Sequence, residues 1–472
     1  MRIPILASGR DQYGRPLGRV ACGRPRRRLS WRRLGLAAAA LVLLFAGAYQ
    51  WRETIVVGGS ALSRRIIGEQ NTMRLETAYF GVLDLTHRVE YRVFGSGGGN
   101  PESGSVRRRV ALRPAPVLSA RSAGSLATER RRARVAPAAV RPLGPPARVP
   151  PLYPHAAASD EGVWQPLQLA GRGAYLAQHP IYTTFVRPDP SRPYATVTLV
   201  AFDSSAVRLH LVAGTSEPGY AYGAAGTGRI PQSVVRSGAL LAAFNGGFKW
   251  QDGRYGMVED GRTVAPLQPG FATLATYRDG SIRIGTWGTE ITSSPSLVSL
   301  RQNALMLIDH GQISPEINRG GHTWGFVWYT SRKFYTTRSA VAFLADGRFV
   351  YVAGYSVTAK TLALALKQAG VTRAMQLDIN SPYTQMALYE LRGGVHGFDL
   401  TRWMARCPDY FLRTRQRDFA YLTVGKWGRQ AAAARPSGSQ GRGGSSLSGP
   451  ASAVSPRPAP PRRAAPRAAR SR

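Results

Sequence analysis

The chain has 472 residues, a formal net charge of +37 and two cysteines, Cys22 and Cys407. Two thiols so far apart exclude a disulfide framework and a cysteine-based zinc site, and the length admits one large domain or two ordinary ones with tails. The charge sits mostly outside the part that reads as folded: ten Arg against one acid in 1–33, seventeen Arg against seven acids in 52–158, and nine Arg with no acid in 429–472.

Residues 1–33 read as a basic tail. The uncharged run from Leu34 to Tyr49 is as short as a spanning helix can be, given roughly 17–25 residues for a bilayer, and predicts a transmembrane anchor over 34–51. Arginines on its N-terminal side place that end in the cytoplasm, which makes the chain a single-pass cell-membrane protein with its main domain outside. Ala46-Gly47-Ala48 also fits a signal-peptide cleavage site. Residues 52–158 read as an extracytoplasmic stalk and linker. Leu75, Tyr79, Val82, Leu83, Val89 and Val93 recur at helical spacing over 73–94. This is a stalk or partner helix, or a helix packed on the main domain. Residues 96–158 are rich in Gly, Pro and Arg, as linkers are. The tail 429–472 has the composition of a disordered segment, and the basic segments attract polyanions.

The folded region is expected over 159–428. Strands are predicted over 194–202 and 207–212, then a short helix over 230–236 that starts at a proline. A buried strand over 239–244 follows and stops at Asn245-Gly246-Gly247-Phe248. Asp252-Gly253, Asp260-Gly261, Asp279-Gly280 and Asp346-Gly347 are hairpin signals. A helix over 359–369, capped by Thr358 and stopped by Gly370, leads into a strand over 371–377 that ends at Asp378-Ile379-Asn380-Ser381. Helix, glycine, apolar strand and polar turn thus occur twice. Polar residues past strand ends are where ligand sites tend to lie, so the two turns are expected to face one cleft.

No zinc-protease helix, P-loop or nucleophile elbow is present, and no His pair has ligand spacing, so neither a metal site nor a cofactor is indicated. Carboxylates, amides and arginines remain. Asp378 ends an apolar strand, where desolvation raises a carboxyl pKa and suits acid–base work; an aspartate there also simply caps a turn. Asn245 is placed to hold a sugar hydroxyl or phosphate oxygen, with the Gly246 and Gly247 amides as anion donors, or the three form a plain turn. Arg338 suits a phosphate, or is a surface charge. Glu259 offers a second carboxylate, or is a turn residue.

Several short motifs occur together and in order. They are Asn245-Gly246-Gly247-Phe248, Gly256-Met257-Val258-Glu259-Asp260-Gly261-Arg262, Gly270-Phe271-Ala272, Asp279-Gly280 with Ile284-Gly285-Thr286-Trp287, Arg301-Gln302-Asn303, Arg338-Ser339-Ala340-Val341, and Met375-Gln376-Leu377-Asp378. Over about 196–400 the chain resembles the phosphodiester glycosidase family, relatives of the mammalian uncovering enzyme. The resemblance implies an α+β domain, a mixed β-sheet with flanking helices, that cleaves a sugar from a phosphodiester. The last family motif commonly reads Leu-Asp-Gly-Gly. Here the aspartate is kept as Asp378, and Ile379 and Asn380 replace the glycines. We associate this form with an exported bacterial branch.

The function expected from these readings is a membrane-anchored, outward-facing hydrolase acting on a glycosyl phosphodiester of the cell envelope. Asp378 and Glu259 would be catalytic, and Asn245, Gly246, Gly247, Arg338, Asn380 and Ser381 would hold the substrate. The alternative is an inactive module of the same fold that binds an anionic envelope glycan. Nucleic acid is a poor partner, because it conflicts with an exported domain.

Overall fold

Among the described residues of this computed structural model, eighteen strands, rich in apolar residues, build three antiparallel sheets. The structure describes residues 52–94, 142–218, 226–320, 323–325, 334–381, 383–404 and 409–425. The hairpin signals are realised where the backbone allows them. Asp260 and Gly261 both have positive φ, 48° and 80°, the twist a two-residue hairpin needs to join Met257–Glu259 to Arg262–Ala265. Asp252-Gly253 does not make a hairpin; it closes a 3-10 turn over Trp250–Asp252.

The largest sheet has eight strands in the order Gln165–Pro166, Tyr182–Val186, Thr196–Phe202, Phe349–Val357, Thr336–Leu344, Val371–Ile379, Met306–Asp309, Gln312–Ile313. A five-stranded sheet holds Arg262–Ala265, Met257–Glu259, Leu297–Asn303, Ala272–Tyr277 and Ile282–Thr286. A second five-stranded sheet holds Val395–Asp399, Met386–Leu391, Leu240–Asn245, Phe419–Val424 and Val207–Val212. One core is shared by all three: Phe244, Leu274, Tyr351 and Met375 belong to the same buried cluster. Leu240–Asn245 is apolar on both faces because both are covered. Leu241, Ala242 and Phe244 enter the shared core, and Leu240 and Ala243 enter a separate cluster on the other side. On the far face of the large sheet the Ala359–Gln368 helix, capped by Thr358, buries Leu362 and Leu366 against Val350, Val352 and Trp324. Each such leucine contributes about 1.5–3 kcal/mol.

The expected fold class needs correction. The described residues are mostly β-sheet with few helices, not α+β, because sheet faces are covered chiefly by other sheets. The expected anchor over 34–51 lies outside the described residues. Among the described residues no helix is long and apolar enough to cross a membrane, so the expected single-pass membrane location is not supported either. The longest helix, Arg52–Phe94, kinks at Gly68, and charged residues interrupt its apolar ones. It packs on the sheets through Thr72, Met73, Thr77, Phe80 and Asp84, all buried. Asp84 takes two hydrogen bonds from Arg192, each 3.1 Å. Residues 142–158, read from sequence as the end of the linker, run against the large sheet, where Val149 is buried and the Trp164 indole donates to the Ala147 carbonyl.

Candidate functional site

The two polar turns meet although their strands belong to different sheets. Ser339, on Thr336–Leu344 beside Val371–Ile379, joins them. Its hydroxyl accepts from Asn245 Nδ2 at 2.9 Å and from the Asp378 amide at 3.1 Å. Asn245 is fully engaged. Its Oδ1 accepts from the Tyr351 hydroxyl at 3.0 Å and the Gln385 amide at 3.1 Å, and its Nδ2 also donates to the Gly246 carbonyl. The side chain clips two sheets together, with no donor or acceptor left over.

The Gly246-Gly247 turn does receive an anion, and the protein supplies it. The Gly246 amide donates to the Asp418 carbonyl at 3.0 Å and the Gly247 amide to Asp418 Oδ2 at 3.2 Å. Glycine is required at 246, since a Cβ there would run into the Asp418 carboxylate. Arg301 holds Asp418 from the other side, Nε to Oδ2 at 2.8 Å and Nη2 to Oδ1 at 3.3 Å, both side chains almost fully buried. Arg301 Nη2 also caps the Phe248 carbonyl at 2.6 Å. Asn303 accepts from the Phe248 amide and donates to the Gln376 and Leu377 carbonyls, tying the first turn to the Val371–Ile379 strand that carries Asp378 near its end. The Arg301-Gln302-Asn303 motif is thus the frame on which both turns hang.

Asp378 is 5% exposed. Its Oδ1 accepts from the Ile379 amide at 2.8 Å and its Oδ2 faces Arg417 Nη2 at 2.5 Å. Burial pushes its pKa up to about 7; Arg417 and the Ile379 amide pull it down, and Asp252 and Asp418 add to the rise. Arg417 donates to the Gly247 carbonyl at 2.9 Å and stacks over the Tyr383 ring at 4.4 Å. Burial lowers the Arg417 pKa, but Asp378, Tyr383, Asp418 and Glu217 together carry it above its usual value. Glu217, half-buried, accepts from the Trp250 amide, and burial raises its pKa against the pull of Arg417. Asn245, Gly246, Asp378, Tyr383, Arg417 and Asp418 line one cavity of about 20 Å³, room for a water molecule.

The other expected site residues lie differently. Arg338 is completely buried, and its guanidinium donates to the carbonyls of Val357, Trp324 and Phe334 and to Gln376 Oε1. Burial lowers its pKa to about 9. It ties strand ends together rather than pointing at a substrate. Asn380 has φ of 74°, a left-handed conformation that suits glycine or asparagine, and its Oδ1 accepts from Thr336. Asparagine therefore fills a backbone position where the family commonly has glycine. Ile379 packs with Phe248, Phe334 and, from the long helix, Phe80, so that helix covers the outer side of both turns. The Ser381 carbonyl accepts from Gln385 Nε2. Glu259 lies away from the cavity; it accepts from the Ala213 amide and pairs with Arg262 at 2.6 Å.

Arg417, Asp418 and Glu217 were not singled out from the sequence, and Arg301 stood out there only as part of a family motif. Arg417-Asp418 directly precedes the Phe419–Val424 strand, and nothing local marks it. Only pairing of that strand beside Leu240–Asn245, with Phe419 opposite Asn245, carries it to the turn. Among the described residues Glu290, Asp309 and His310 lie close enough to hold a metal ion, but Arg373 already pairs with Glu290 and Asp309 at 2.5 and 2.6 Å.

Residues 238–378 match the family model of phosphodiester glycosidases. The matched stretch begins just before the strand that leads to the first turn and ends on Asp378. It therefore includes the first turn, the Arg301 motif and the aspartate of the second turn, while Ile379, Asn380, Glu217, Arg417 and Asp418 lie outside it. Among solved structures, the catalytic domain of zebrafish N-acetylglucosamine-1-phosphodiester alpha-N-acetylglucosaminidase, auto-inhibited by its pro-peptide, is similar at 17% identity with a TM-score of 0.33, over 54% of this chain and 86% of that one. A hypothetical protein from Synechocystis is similar at 14% identity with a TM-score of 0.31, over 52% of this chain and 62% of that one. No curated protein matches the chain.

Proposed function

We propose that the chain hydrolyses a glycosyl phosphodiester, with Asp378 as the acid–base group and Arg417 holding the phosphate. The observation that carries this reading is the buried Asp378 carboxyl against the Arg417 guanidinium, in the cavity where the two turns meet. In such a reaction water attacks the anomeric carbon, the carbon–oxygen bond to phosphate breaks, and a phosphomonoester leaves. A phosphate leaves without needing a full proton, so the demand is for a base to take the proton of the attacking water and a cation for the leaving charge. A carboxylate whose pKa is raised to about 7 is a stronger base than an ordinary aspartate. A guanidinium binds phosphate oxygens in a fork.

Glycosidases commonly use two carboxyl groups. Glu217 now stands ahead of Glu259 for the second, because it acts on the same Arg417. Asn245, Gly246, Gly247, Arg338, Asn380 and Ser381 are assigned to shaping the site rather than touching substrate. The unit that carries the function is 159–428 with the packed segment 142–158. The excess of arginine fits a polyanionic substrate such as an envelope glycopolymer with repeated phosphodiesters.

The test is release of free sugar from a glycosyl alkyl phosphodiester by the full chain and by Asp378→Asn. Turnover by the wild type that vanishes in the variant supports the reading; equal turnover overturns it. The small cavity and the already paired Arg417 favour a second reading, in which the fold binds an anionic glycan and does not cleave it. Retention of a phosphoglycan with no sugar released would decide for that.

A further inference from the structure

The Arg52–Phe94 helix has two opposed faces, and its own domain uses one. Met73, Thr77, Phe80 and Asp84 are buried against the sheets. Leu75, Tyr79, Val82, Leu85, Val89 and Val93 stay between 51% and 65% exposed. Singly scattered apolar residues on a surface need no explanation, but five of these six, together with Thr86 and without Leu85, follow a rule. Leu75, Tyr79, Val82, Thr86, Val89 and Val93 succeed one another in steps of four, three, four, three and four. That is the 3.5-residue repeat of a coiled-coil seam, which another helix reads by seating knobs into holes. With Tyr79 at heptad position a, Thr86 and Val93 are also a, and Leu75, Val82 and Val89 are d. The residues held by the sheets, Met73, Phe80 and His87 at b and Thr77 and Asp84 at f, then lie away from the seam. His87 meets the Tyr355 hydroxyl at 3.2 Å.

Among the described residues, the other α-helices are Gly173–Gln178, Gln232–Arg236 and Ala359–Gln368. They are too short to match a 75–93 seam of about 28 Å at 1.5 Å per residue. The matching surface in the described molecule is the same helix of another copy. We propose that two copies of this chain pair through this helix as a parallel, in-register, two-stranded coiled coil over 75–93. Charge selects the orientation. Glu76 and Glu90 are both e positions in this register, and an antiparallel pair sets e against e, acid against acid. A parallel pair sets them against the g positions, occupied by Asn71 and Leu85, with no like charges opposed. Since the b and f faces are taken up by its own sheets, each helix has one side left, which a single partner fills about a two-fold axis.

The experiment uses the full chain in high salt, where the +37 charge is screened. Sedimentation equilibrium should give twice the single-chain mass. Val82→Glu combined with Val89→Glu should halve it, with the circular dichroism of a folded chain retained because both positions are exposed, and with a melting midpoint that no longer depends on protein concentration. In a Cys22→Ser, Cys407→Ser background, Val89→Cys alone should form a disulfide-linked dimer on oxidation, since d faces d in a parallel pair. A single-chain mass up to the solubility limit, or a mass unmoved by the two glutamates, overturns the proposal. Crosslinking only when Tyr79→Cys is present with Val89→Cys overturns the parallel register. A monomer that instead sediments with anionic phospholipid vesicles would assign the face to lipid and also overturn it.

Discussion

The two turns begin alike and end differently. Each follows a helix, a left-handed glycine and an apolar strand, and each presents a polar residue where two sheets meet. At Asn245-Gly246-Gly247 every polar group is spent inside the protein: the asparagine clips Ser339, Tyr351 and Gln385, and the Gly247 amide takes the Asp418 carboxylate. At Asp378-Ile379-Asn380 one carboxyl stays under electrostatic tension, buried and facing an arginine shared with other acids. The same local layout yields a brace in one case and, in the other, a buried carboxyl with a raised pKa, the group proposed to react. The difference is which chain segment lies opposite: Asp418 fills the first turn and Arg417, its neighbour, reaches the second.

Substitutions should separate brace from reactive group. Asp378→Asn should lower turnover by about 10²- to 10⁴-fold, the usual worth of a general base, while the midpoint of urea denaturation at pH 4, where the wild-type carboxyl is also neutral, stays near that of the wild type. A large loss of stability with the loss of turnover would make Asp378 a brace too. The opposite pattern is expected for Asp418→Asn. It leaves the buried Arg301 without its counter-charge, which costs about 3–5 kcal/mol of stability, read as a drop in that midpoint. Gly246→Ala should cost about 1–3 kcal/mol through overpacking against Asp418. Asn380→Gly keeps the left-handed backbone and should stay within about 1 kcal/mol of the wild type; a larger fall would show that the Asn380 side chain braces this turn as well.

The pH dependence sharpens the same contrast. The Asp378 pKa is raised from 3.8 to about 7 on folding. The folded state therefore prefers the protonated carboxyl. This contribution to stability is fully present below pH 3.8 and is lost as pH rises through 7. Relative to wild type, Asp378→Asn should gain stability as pH goes from 4 to 8, and parallel stability curves would contradict the raised pKa. Turnover should rise with pH through about 7, as the base form appears.

Local chemistry alone was enough for the strands near 194–202, 207–212, 239–244 and 371–377, the Asp260-Gly261 hairpin, the Thr358-capped helix and the two polar turns. Each depends on neighbours within a few residues: alternation, glycine φ, a capping hydroxyl. The motif order was enough for the family resemblance over the stretch that matches. The layering was not legible. The family resemblance implied helices on a mixed sheet, whereas the strands pair antiparallel and cover one another, a matter of long-range pairing that no window of sequence contains. Arg338, before an apolar stretch, read as a phosphate ligand or a surface charge; inside the large sheet it is buried and ringed by carbonyls. Arg417, Asp418 and Glu217 were silent for the same reason. The chain by itself determined that Asp378 ends an apolar strand. Its burial, its arginine and its anion-filled twin were decided when Phe419–Val424 came to lie beside Leu240–Asn245, because charges interact through space and sequence distance has no bearing on them.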